Sequence, residues 1–381
     1  MFSGLSKYAL AKAALFKNQP IYVQFYLTSR CNLRCVHCNI IYANSDLPEC
    51  SLEQVEMIAE NLARLKVAIV LLTGGEPFMR QDLPAIIKAF ESRGVHVRMQ
   101  TNGLASEEQI ASAVEAGGRD ISISLDTLKP ELQEKINGGI PGSWHRALKA
   151  IADFTRVLPK RGSFASLGCV LQTSNLNDIE DVIKFATSIH WFTSLVPVHI
   201  TPQSEPYGFR SLDPALDFES IHHHLIDDVL GKCRHLQKQG CLLYDSPEYL
   251  DDISAFVRKR PLGWRRRNRH RCDSPGLYFA ILPDGEFAPC CDHRLQDPVY
   301  VYADDFVPTY HSRGFKASVM EITSHCQGCL FGSFPEITIA MRFWRAKMQR
   351  LGNFLAAPVR KTGWPLTYER VLEMAAAAGK A

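Results

Sequence analysis

Three cysteines occur close together in the segment CNLRCVHC, which runs from Cys31 to Cys38. Three residues separate Cys31 from Cys35, and two separate Cys35 from Cys38, so that three thiolates can converge on one face of a metal cluster. Zinc and ordinary iron–sulfur clusters take four protein ligands. A [4Fe-4S] cluster with three thiolates keeps one iron open for a substrate or cofactor. The alternative is a zinc site completed by Cys50.

The segment TGGEP, from Thr73 to Pro77, follows the apolar run VAIVLL. This position predicts a loop directly after the second strand of a parallel sheet. Gly74 and Gly75 allow a close backbone approach to a ligand, and the Glu76 carboxylate offers acceptors to an ammonium group. We therefore expect TGGEP to lie at the same end of the sheet as the cysteines.

A second set of four cysteines follows in CDSPGLYFAILPDGEFAPC and CQGC, namely Cys272, Cys290, Cys326 and Cys329. Four thiolates complete a closed cluster, and a hairpin turn at Gly285 would bring Cys290 back toward Cys272. A zinc ribbon fits the same four cysteines equally well in isolation. Cys291 directly follows Cys290, so the pattern leaves open which of the two adjacent thiolates binds.

The sequence CxxxCxxC, followed in the next βα loop by GGEP, resembles the radical S-adenosylmethionine (radical SAM) enzymes. The resemblance implies that Cys31, Cys35 and Cys38 hold a [4Fe-4S] cluster whose open iron chelates the amino and carboxylate groups of SAM. One electron from the cluster would then cleave SAM to methionine and a 5′-deoxyadenosyl radical, which abstracts a hydrogen atom from the substrate.

The same resemblance implies a set of residues that contact SAM. The segment that receives the amino group is matched by Gly74, Gly75 and Glu76. His37 stands where the family often has an aromatic residue beside the adenine. Positions that touch the carboxylate and ribose in relatives are matched by Asn102 in QTNG and by Ser124 and Asp126 in SLD. Serine and aspartate at strand ends are also common as turn or cap residues.

The second cysteine set resembles the twitch form of the SPASM auxiliary-cluster domain. Since no cysteine follows Cys329, we expect one auxiliary [4Fe-4S] cluster. In some relatives an Asp proposed as the substrate base directly follows the matching cysteine. Here Cys291 intervenes and Asp292 comes one residue later, so the base stays open. Glu205 and Tyr207, in HITPQSEPYGFR, are further candidate proton acceptors.

Six β-rich runs alternate with helical patterns between residues 21 and 200, which predicts an α/β fold with a parallel sheet. Six βα units are two short of a closed barrel and predict a partial (β/α)6 barrel of radical SAM type, with a small cysteine-rich, twitch-like domain after it. Ligand sites of such sheets lie at the C-terminal strand ends, where all the motifs above fall. The predicted segments are an N-terminal helical extension (1–20), the barrel (21–210), a helical and loop insertion (211–263), the auxiliary-cluster domain (264–335) and a helical tail (336–381).

Composition favours an ordinary globular enzyme, with 46% hydrophobic and 22% charged residues and a net charge of +3. The basic run from Arg258 to Arg271 contains one aromatic residue, Trp264, so we expect no nucleic-acid partner. No apolar run approaches the roughly 18 residues of a membrane helix, which argues against stable membrane insertion. Twelve cysteines without a secretion signal indicate a reducing, cytoplasmic environment.

Our leading functional hypothesis from the sequence is a radical SAM oxidoreductase that passes an electron to the auxiliary cluster. Only about 20 residues precede the first strand, whereas many peptide-modifying relatives carry an N-terminal peptide-binding domain. A small-molecule substrate is therefore favoured over a peptide, with maturation of a ribosomal peptide as the alternative. A flavodoxin or ferredoxin would supply electrons. The non-enzyme alternatives are a two-cluster electron carrier and a zinc-stabilised module.

Overall fold

A computed structural model describes residues 19–40, 46–201, 210–356 and 363–379. Most of the predicted N-terminal extension lies outside these ranges. The two candidate proton acceptors after the sixth strand, Glu205 and Tyr207, also lie outside them.

Eight strands form one sheet in the order β6-β5-β4-β3-β2-β1-β7-β8. The first six pair in parallel with their sequence neighbours, which confirms the predicted α/β fold with a parallel sheet. The strands are β1 (Tyr22–Tyr26), β2 (Ile69–Thr73), β3 (His96–Thr101), β4 (Asp120–Ser124), β5 (Phe164–Leu171), β6 (Phe192–Pro197), β7 (Tyr278–Ile281) and β8 (Phe287–Ala288).

Helices follow the strands and then form most of the C-terminal half of the chain. Those of the barrel are α1 (Leu52–Arg64), α2 (Leu83–Glu91), α3 (Glu107–Glu115), α4 (Pro130–Ile136), α5 (Ser143–Val157) and α6 (Ile179–Ser188). Those beyond it are α7 (His223–Lys238), α8 (Pro247–Val257), α9 (Gly263–Arg267), α10 (Phe306–His311), α11 (Arg313–His325), α12 (Ser333–Arg342), α13 (Trp344–Ala356) and α14 (Tyr368–Ala378). Among the described residues, no helix combines the length and apolar character needed to cross a membrane.

Each barrel strand has two buried faces with different roles, as β1 shows. Val23 and Phe25 point outward into the main apolar core beneath the helices. Tyr22 and Gln24 point the other way and line an internal cavity. The period of two along a strand separates these faces, so packing and ligand binding use alternate residues of the same strands.

The cysteine-rich segment extends the barrel sheet. Strand β7 pairs in parallel with β1, with Tyr22 opposite Tyr278 and Phe25 opposite Ile281, and β8 turns back antiparallel to β7. Gly285 at the turn has a φ of 85°, a left-handed conformation that glycine adopts without a steric penalty. The second cysteine set is thereby fixed beside the strand that precedes the first set.

Candidate active site

The first cysteine set lies in the loop after β1, and all three cysteines line one internal cavity of about 370 Å³. Cys31, Cys35 and Cys38 are partly exposed. Burial, and then the nearby Cys38, Asp126 and Cys31, raise the pKa of the Cys35 thiol well above its ordinary value. The Leu33 N–H donates to Cys31 Sγ at 3.4 Å. The three thiols are therefore neighbours on one wall, as a cluster with three protein ligands requires.

Two glycines bring the TGGEP loop against the cysteine loop. The Gly75 N–H donates to the Thr28 carbonyl at 2.7 Å, and the Glu76 N–H donates to the Arg30 carbonyl at 2.8 Å. A Cβ would lie 2.3 Å from the Thr28 oxygen if added to Gly74, and 2.1 Å from the Arg30 oxygen if added to Gly75. The close approach allowed by these glycines is thus first to the chain's own cysteine loop, although both also line the cavity.

The Glu76 carboxylate is 1% exposed and is engaged within the chain. Its Oε1 accepts hydrogen bonds from Phe78 N at 3.1 Å and Thr101 Oγ1 at 2.8 Å, and its Oε2 accepts from Asn102 N at 2.7 Å. Burial raises the pKa of Glu76 to about 7, against the effect of these three bonds. Glu76 is not among the described residues that line the cavity. In the structure this carboxylate fixes the Asn102 segment beside the cysteines.

Two asparagines flank the cysteine loop and line the cavity. Asn102 Nδ2 lies 3.8 Å from Cys31 Sγ, and Asn137 Oδ1 lies 3.8 Å from Cys35 Sγ. Asn102 is one of the residues predicted from the sequence, whereas Asn137 was missed. The Asn102 amide can donate to Cys31 and so orient it as a thiolate ligand, whereas the Asn137 oxygen accepts from the Cys35 thiol.

A second segment, INGG at the end of α4, also packs against the cysteine loop through its backbone. The sequence analysis did not predict this contact. The Arg34 N–H donates to the Asn137 carbonyl at 3.3 Å, and the Val36 N–H donates to the Ile136 carbonyl at 3.0 Å. Gly138 has a φ of +81°, and a Cβ there would lie 2.3 Å from the Arg34 oxygen. The paired glycines at the end of a helical pattern were the available signal. They pack against the cysteine loop at Arg34, four residues after the Arg30 contact of TGGEP.

Three further predicted contacts, His37, Ser124 and Asp126, line the same cavity. Asp126 Oδ1 accepts from Val170 N at 2.7 Å, and burial raises the Asp126 pKa although His37 lowers it. Among the described residues, the buried His37 Nδ1 has no hydrogen-bond partner. A buried unpartnered nitrogen requires an explanation. This one, near a carboxylate in a cavity, fits a polar ligand such as SAM.

Cys50, the fourth ligand of the zinc alternative, faces elsewhere. Its N–H donates to the Pro283 carbonyl at 2.8 Å, and its sulfur would lie 3.0 Å from a Cβ added to Gly285. It is absent from the described residues that line the cavity. In the described part of the chain, no three His, Cys, Asp or Glu side chains converge on a position for one metal ion.

The second cysteine set gathers near the β7–β8 hairpin, although its members are far apart in sequence. Burial, and then Cys326, Cys290 and Cys272, raise the pKa of Cys329 well above its ordinary value. Burial likewise raises the pKa of Cys272 to about 12, with Cys290 and Cys326 contributing. The four thiols are therefore electrostatic neighbours, as a closed four-thiolate site requires.

Polar groups already contact the sulfurs of this second set. Gly328 N–H donates to Cys326 Sγ at 3.3 Å, and the Tyr278 hydroxyl lies 3.2 Å from Cys272 Sγ. Burial acts to raise the Cys326 pKa, but the hydrogen bonds from His293 and Gly328, together with the nearby charges of His293 and Arg265, lower that pKa. Hydrogen bonds to sulfur are typical of thiolates that ligate clusters.

The CQGC loop is positioned by His199, at the end of β6. Its Nε2 accepts from the Leu330 N–H at 3.0 Å, and its Nδ1 donates to the Pro197 carbonyl at 2.8 Å. Burial, followed by Arg210, lowers the His199 pKa to about 3, so the ring is neutral. It stacks on Phe331 with 3.8 Å between ring centroids. His199 thus links the barrel to the second cysteine set.

Adjacent residues in the CCDH segment point in different directions. Cys291 lines the cavity, whereas Cys290 and Asp292 are not among its described lining residues. Asp292 Oδ2 accepts from Arg210 Nε at 2.9 Å, and the Asp292 N–H donates to Cys290 Sγ at 3.4 Å. The candidate base Asp292 is therefore held in an ion pair outside the cavity wall. The residue of this segment that faces the cavity is the Cys291 thiol.

The amino-acid sequence is similar to a known protein family and to individual characterised proteins. Residues 25–186 match the model of the Radical SAM superfamily. The GTP 3′,8-cyclase of Limosilactobacillus fermentum is 37% identical over 219 residues, covering 54% of this chain and 64% of that relative. The PqqA peptide cyclase of Rhodopseudomonas palustris is 28% identical over 277 residues, covering 71% of this chain and 67% of the relative. The chain thus spans under two thirds of the length of the cyclase from Limosilactobacillus.

A solved structure shares the architecture well beyond the matched domain. SuiB of Streptococcus suis, bound to its precursor peptide SuiA, is 17% identical with a TM-score of 0.60. The match covers 82% of this chain and 70% of SuiB. At this identity the likeness concerns the fold, which therefore includes the C-terminal half as well as the barrel.

The expectation of a small-molecule substrate in preference to a peptide is wrong. It depended on the short segment before β1, which is a weak indicator of substrate. SuiB is bound to a precursor peptide, and PqqA peptide cyclase is named for one. Two of these relatives are named cyclases, so the oxidoreductase class stays a prediction.

Proposed function

We propose, from the match of residues 25–186 to the model of the Radical SAM superfamily, that the chain is a maturase that modifies a peptide at a C–H bond. One observation carries the proposal. The first cysteine set, the TGGEP and INGG segments packed against it, and Cys291 of the CCDH segment all border one cavity. The peptide class is supported by relatives that act on or bind peptides.

The residues that would hold the first cluster are Cys31, Cys35 and Cys38. A [4Fe-4S] cluster with bound SAM supplies, on one-electron reduction, a carbon radical able to abstract hydrogen. The chain's own contribution is rigidity, because Gly75 and Gly138 pack against the cysteine loop at two points. Precise placement of reacting groups is a large part of catalysis, and a displacement of about 1 Å can cost about 100-fold in rate.

SAM would lie against the residues that the strand ends present to the cavity. Asp126 and Ser124 offer oxygen acceptors, and His37 offers its unpartnered nitrogen. Glu76 supports this wall from behind through Thr101 and the Asn102 backbone. The proposed role of Glu76 is therefore positioning, whereas the three cavity-facing side chains are proposed to contact SAM.

Cys272, Cys290, Cys326 and Cys329 would hold one auxiliary [4Fe-4S] cluster. Four thiols supply one ligand to each iron of a [4Fe-4S] cluster, so no iron is left open to bind a substrate. A structural or electron-transfer role therefore suits this site better than substrate binding. Cys291 is excluded from the proposed ligand set because it faces the cavity. Its thiol is instead placed where the substrate would bind.

Co-expression provides the test of substrate class. The chain is expressed together with each short peptide encoded beside its gene, and the peptides are analysed by mass spectrometry. We expect one peptide to change in mass with the intact enzyme. The change should be absent with a matched variant in which Cys31, Cys35 and Cys38 are replaced by alanine.

GTP is the control substrate, because one relative is a GTP 3′,8-cyclase. We expect GTP to leave the rate of 5′-deoxyadenosine formation unchanged in the purified, anaerobically reconstituted enzyme. Conversion of GTP, with no modified peptide in any co-expression, would overturn the proposal.

A further inference from the structure

The cavity that begins at the cysteines continues to the opposite end of the barrel. Its lining there includes Tyr22 of β1, Arg98 of β3 and Tyr244, together with Arg350 of α13. Arg98 and Asn102 are four residues apart on and just beyond β3, which corresponds to roughly 13 Å along an extended strand. The far end therefore lies well beyond the wall proposed to contact SAM.

Two guanidinium groups converge on one aromatic ring at this far end. Arg350 Cζ lies 3.7 Å from the Tyr244 ring centroid, and Arg98 Cζ lies 5.7 Å from it. The Arg98 side chain is 17% exposed and that of Arg350 is 14% exposed. Both positive charges are thus largely shielded from solvent, where their interactions are stronger than at a surface.

Arg98 retains donor capacity in this position. Its contacts are long for a guanidinium: Nη2 to Ser166 Oγ is 3.4 Å, and Nε to Asp120 Oδ1 is 3.7 Å. Tyr244 is a further hydrogen-bond neighbour. Charge-assisted bonds between arginine and carboxylates are typically 2.7 to 2.9 Å. A ligand could therefore form better bonds to Arg98 than its present neighbours do.

The carboxylates around these arginines are arranged unevenly. Asp120 lies 3.3 Å from His96, and Asp245 accepts from Leu195 N at 2.7 Å. Neither aspartate is among the described residues that line the cavity. Glu336 does line it and pairs with Arg350 at 2.5 Å. The far end of the cavity thus presents two guanidinium groups and one carboxylate, a net positive charge, whereas Asp126 lines the cavity at the cysteine end.

The walls between the cysteines and the arginines are mainly apolar. They are formed by Leu71, Val170, Val196, Ile337 and Met341, with small polar residues between them. Binding sites commonly combine such apolar walls with a few polar groups that fix orientation. The shape and charge fit an apolar segment that ends in, or carries, a carboxylate.

We propose that Arg98 and Arg350 form an anchor for a carboxylate of the substrate, inside the barrel. This inference rests on the proposed peptide maturase function and specifies its substrate as a peptide with an apolar stretch next to a carboxylate. An extended chain spans about 3.3 Å per residue, so the carboxylate would lie about four residues from the modified position.

Octanoate and 1-octanol are the probes, because they share an apolar chain and differ in the carboxylate. Their binding to the reconstituted, SAM-loaded enzyme is measured by isothermal titration calorimetry without oxygen. We expect octanoate to bind at least tenfold more tightly than octanol. Arg98→Met should remove this preference, and Arg98→Lys should retain part of it. Arg93→Met, whose arginine pairs with Glu60 at the surface, is the matched control and should change nothing.

Two results would overturn the anchor: equal or absent binding of the two probes to the wild-type enzyme, or an unchanged preference in Arg98→Met. Thermal unfolding of each variant checks its fold, and Arg98→Lys, which keeps the charge beside Asp120, remains informative if Arg98→Met is unstable. SAM cleavage without substrate is measured in parallel. If it persists while octanoate does not bind, the anchor fails and the maturase proposal stands.

Three peptides identify the source of the carboxylate. Acetyl-trileucine with a free C-terminus is compared with its C-terminal amide and with acetyl-dileucyl-glutamyl amide. Preference for the free acid indicates a peptide C-terminus, and preference for the glutamyl amide indicates an acidic side chain. If neither carboxylate binds more tightly than the trileucine amide, the anchor is contradicted.

Discussion

Replacing Gly75 by alanine should disrupt the first cluster site selectively. The added Cβ would lie 2.1 Å from the Arg30 carbonyl oxygen and 2.6 Å from the Arg30 carbonyl carbon. Both atoms are backbone, so no side-chain rotation can relieve the overlap. Ordinary contact begins near 3.4 Å, which means that the two loops must separate by about 1 Å.

The energetic cost follows from what this separation breaks. The bonds from Gly75 N to Thr28 and from Glu76 N to Arg30, of 2.7 and 2.8 Å, would be lost or weakened. Each contributes about 1 kcal/mol, and overpacking of a rigid contact adds about 1 to 3 kcal/mol. We therefore expect Gly75→Ala to lower the free energy of unfolding by about 3 to 5 kcal/mol. The larger effect should be on the placement of Cys31.

The assay combines urea denaturation with iron analysis after anaerobic reconstitution. Gly75→Ala should retain about four irons, those of the auxiliary site, and lose SAM cleavage. Gly231→Ala is the matched control, because Gly231 lies in α7 with open space around the added Cβ. It should gain about 0.5 to 1 kcal/mol through helix propensity. Full iron content and unchanged stability in Gly75→Ala would contradict the claim that the contact between Gly75 and Arg30 positions the cysteine loop.

Two other predictions concern the second cysteine set. Cys290→Ser should lose about four irons while Cys291→Ser keeps them, as iron analysis would show; the reverse result would exchange the two assignments. His199→Gln should flatten the dependence of stability on pH. The pKa of His199 is about 3 in the folded protein and near 6.5 in the unfolded chain. Between these pH values the unfolded chain binds a proton at His199 and the folded protein does not. Wild-type stability should therefore fall as the pH drops below 6.5, by up to about 1.4 kcal/mol per unit from this group. Urea denaturation from pH 7 to 5 measures it, and identical slopes in both proteins would contradict the assignment.

Local patterns sufficed to predict the barrel and the principal motifs. The six strands alternate with helical patterns, and each predicted strand overlaps an observed one by several residues. Helix α1 begins with a serine cap of the kind that local sequence encodes, since Ser51 and Gln54 form reciprocal hydrogen bonds. These features depend on residues near one another in the chain, where periodicity and capping chemistry are informative.

Contacts between distant segments could not be predicted in this way. Arg34 pairs with Asn137, and His199 accepts from Leu330 across 131 positions. Glu76 has the residue type expected for binding an ammonium group, yet its carboxylate is engaged by three donors of the chain. Residue type showed which groups are present, whereas the fold determines which of them remain available to a ligand.

The sequence also could not predict in which direction adjacent side chains point. Cys290 and Cys291 are indistinguishable by type, and only the conformation of the CCDH segment turns Cys291 toward the cavity. The CCDH segment follows β8, and β7, the partner of β8 in the hairpin, pairs with β1. That pairing joins the two cysteine sets into one structural unit, a relation that their separation in sequence does not reveal.

Iron content and SAM cleavage in one pair of proteins show whether Cys31, Cys35 and Cys38 hold a cluster that cleaves SAM. Wild type and a variant with Cys31, Cys35 and Cys38 replaced by alanine are reconstituted without oxygen, reduced and incubated with SAM. We expect about eight irons and 5′-deoxyadenosine formation in the wild type, against about four irons and no 5′-deoxyadenosine in the variant. Cleavage of SAM by the variant, or a wild-type protein that binds zinc and leaves SAM intact, would contradict it.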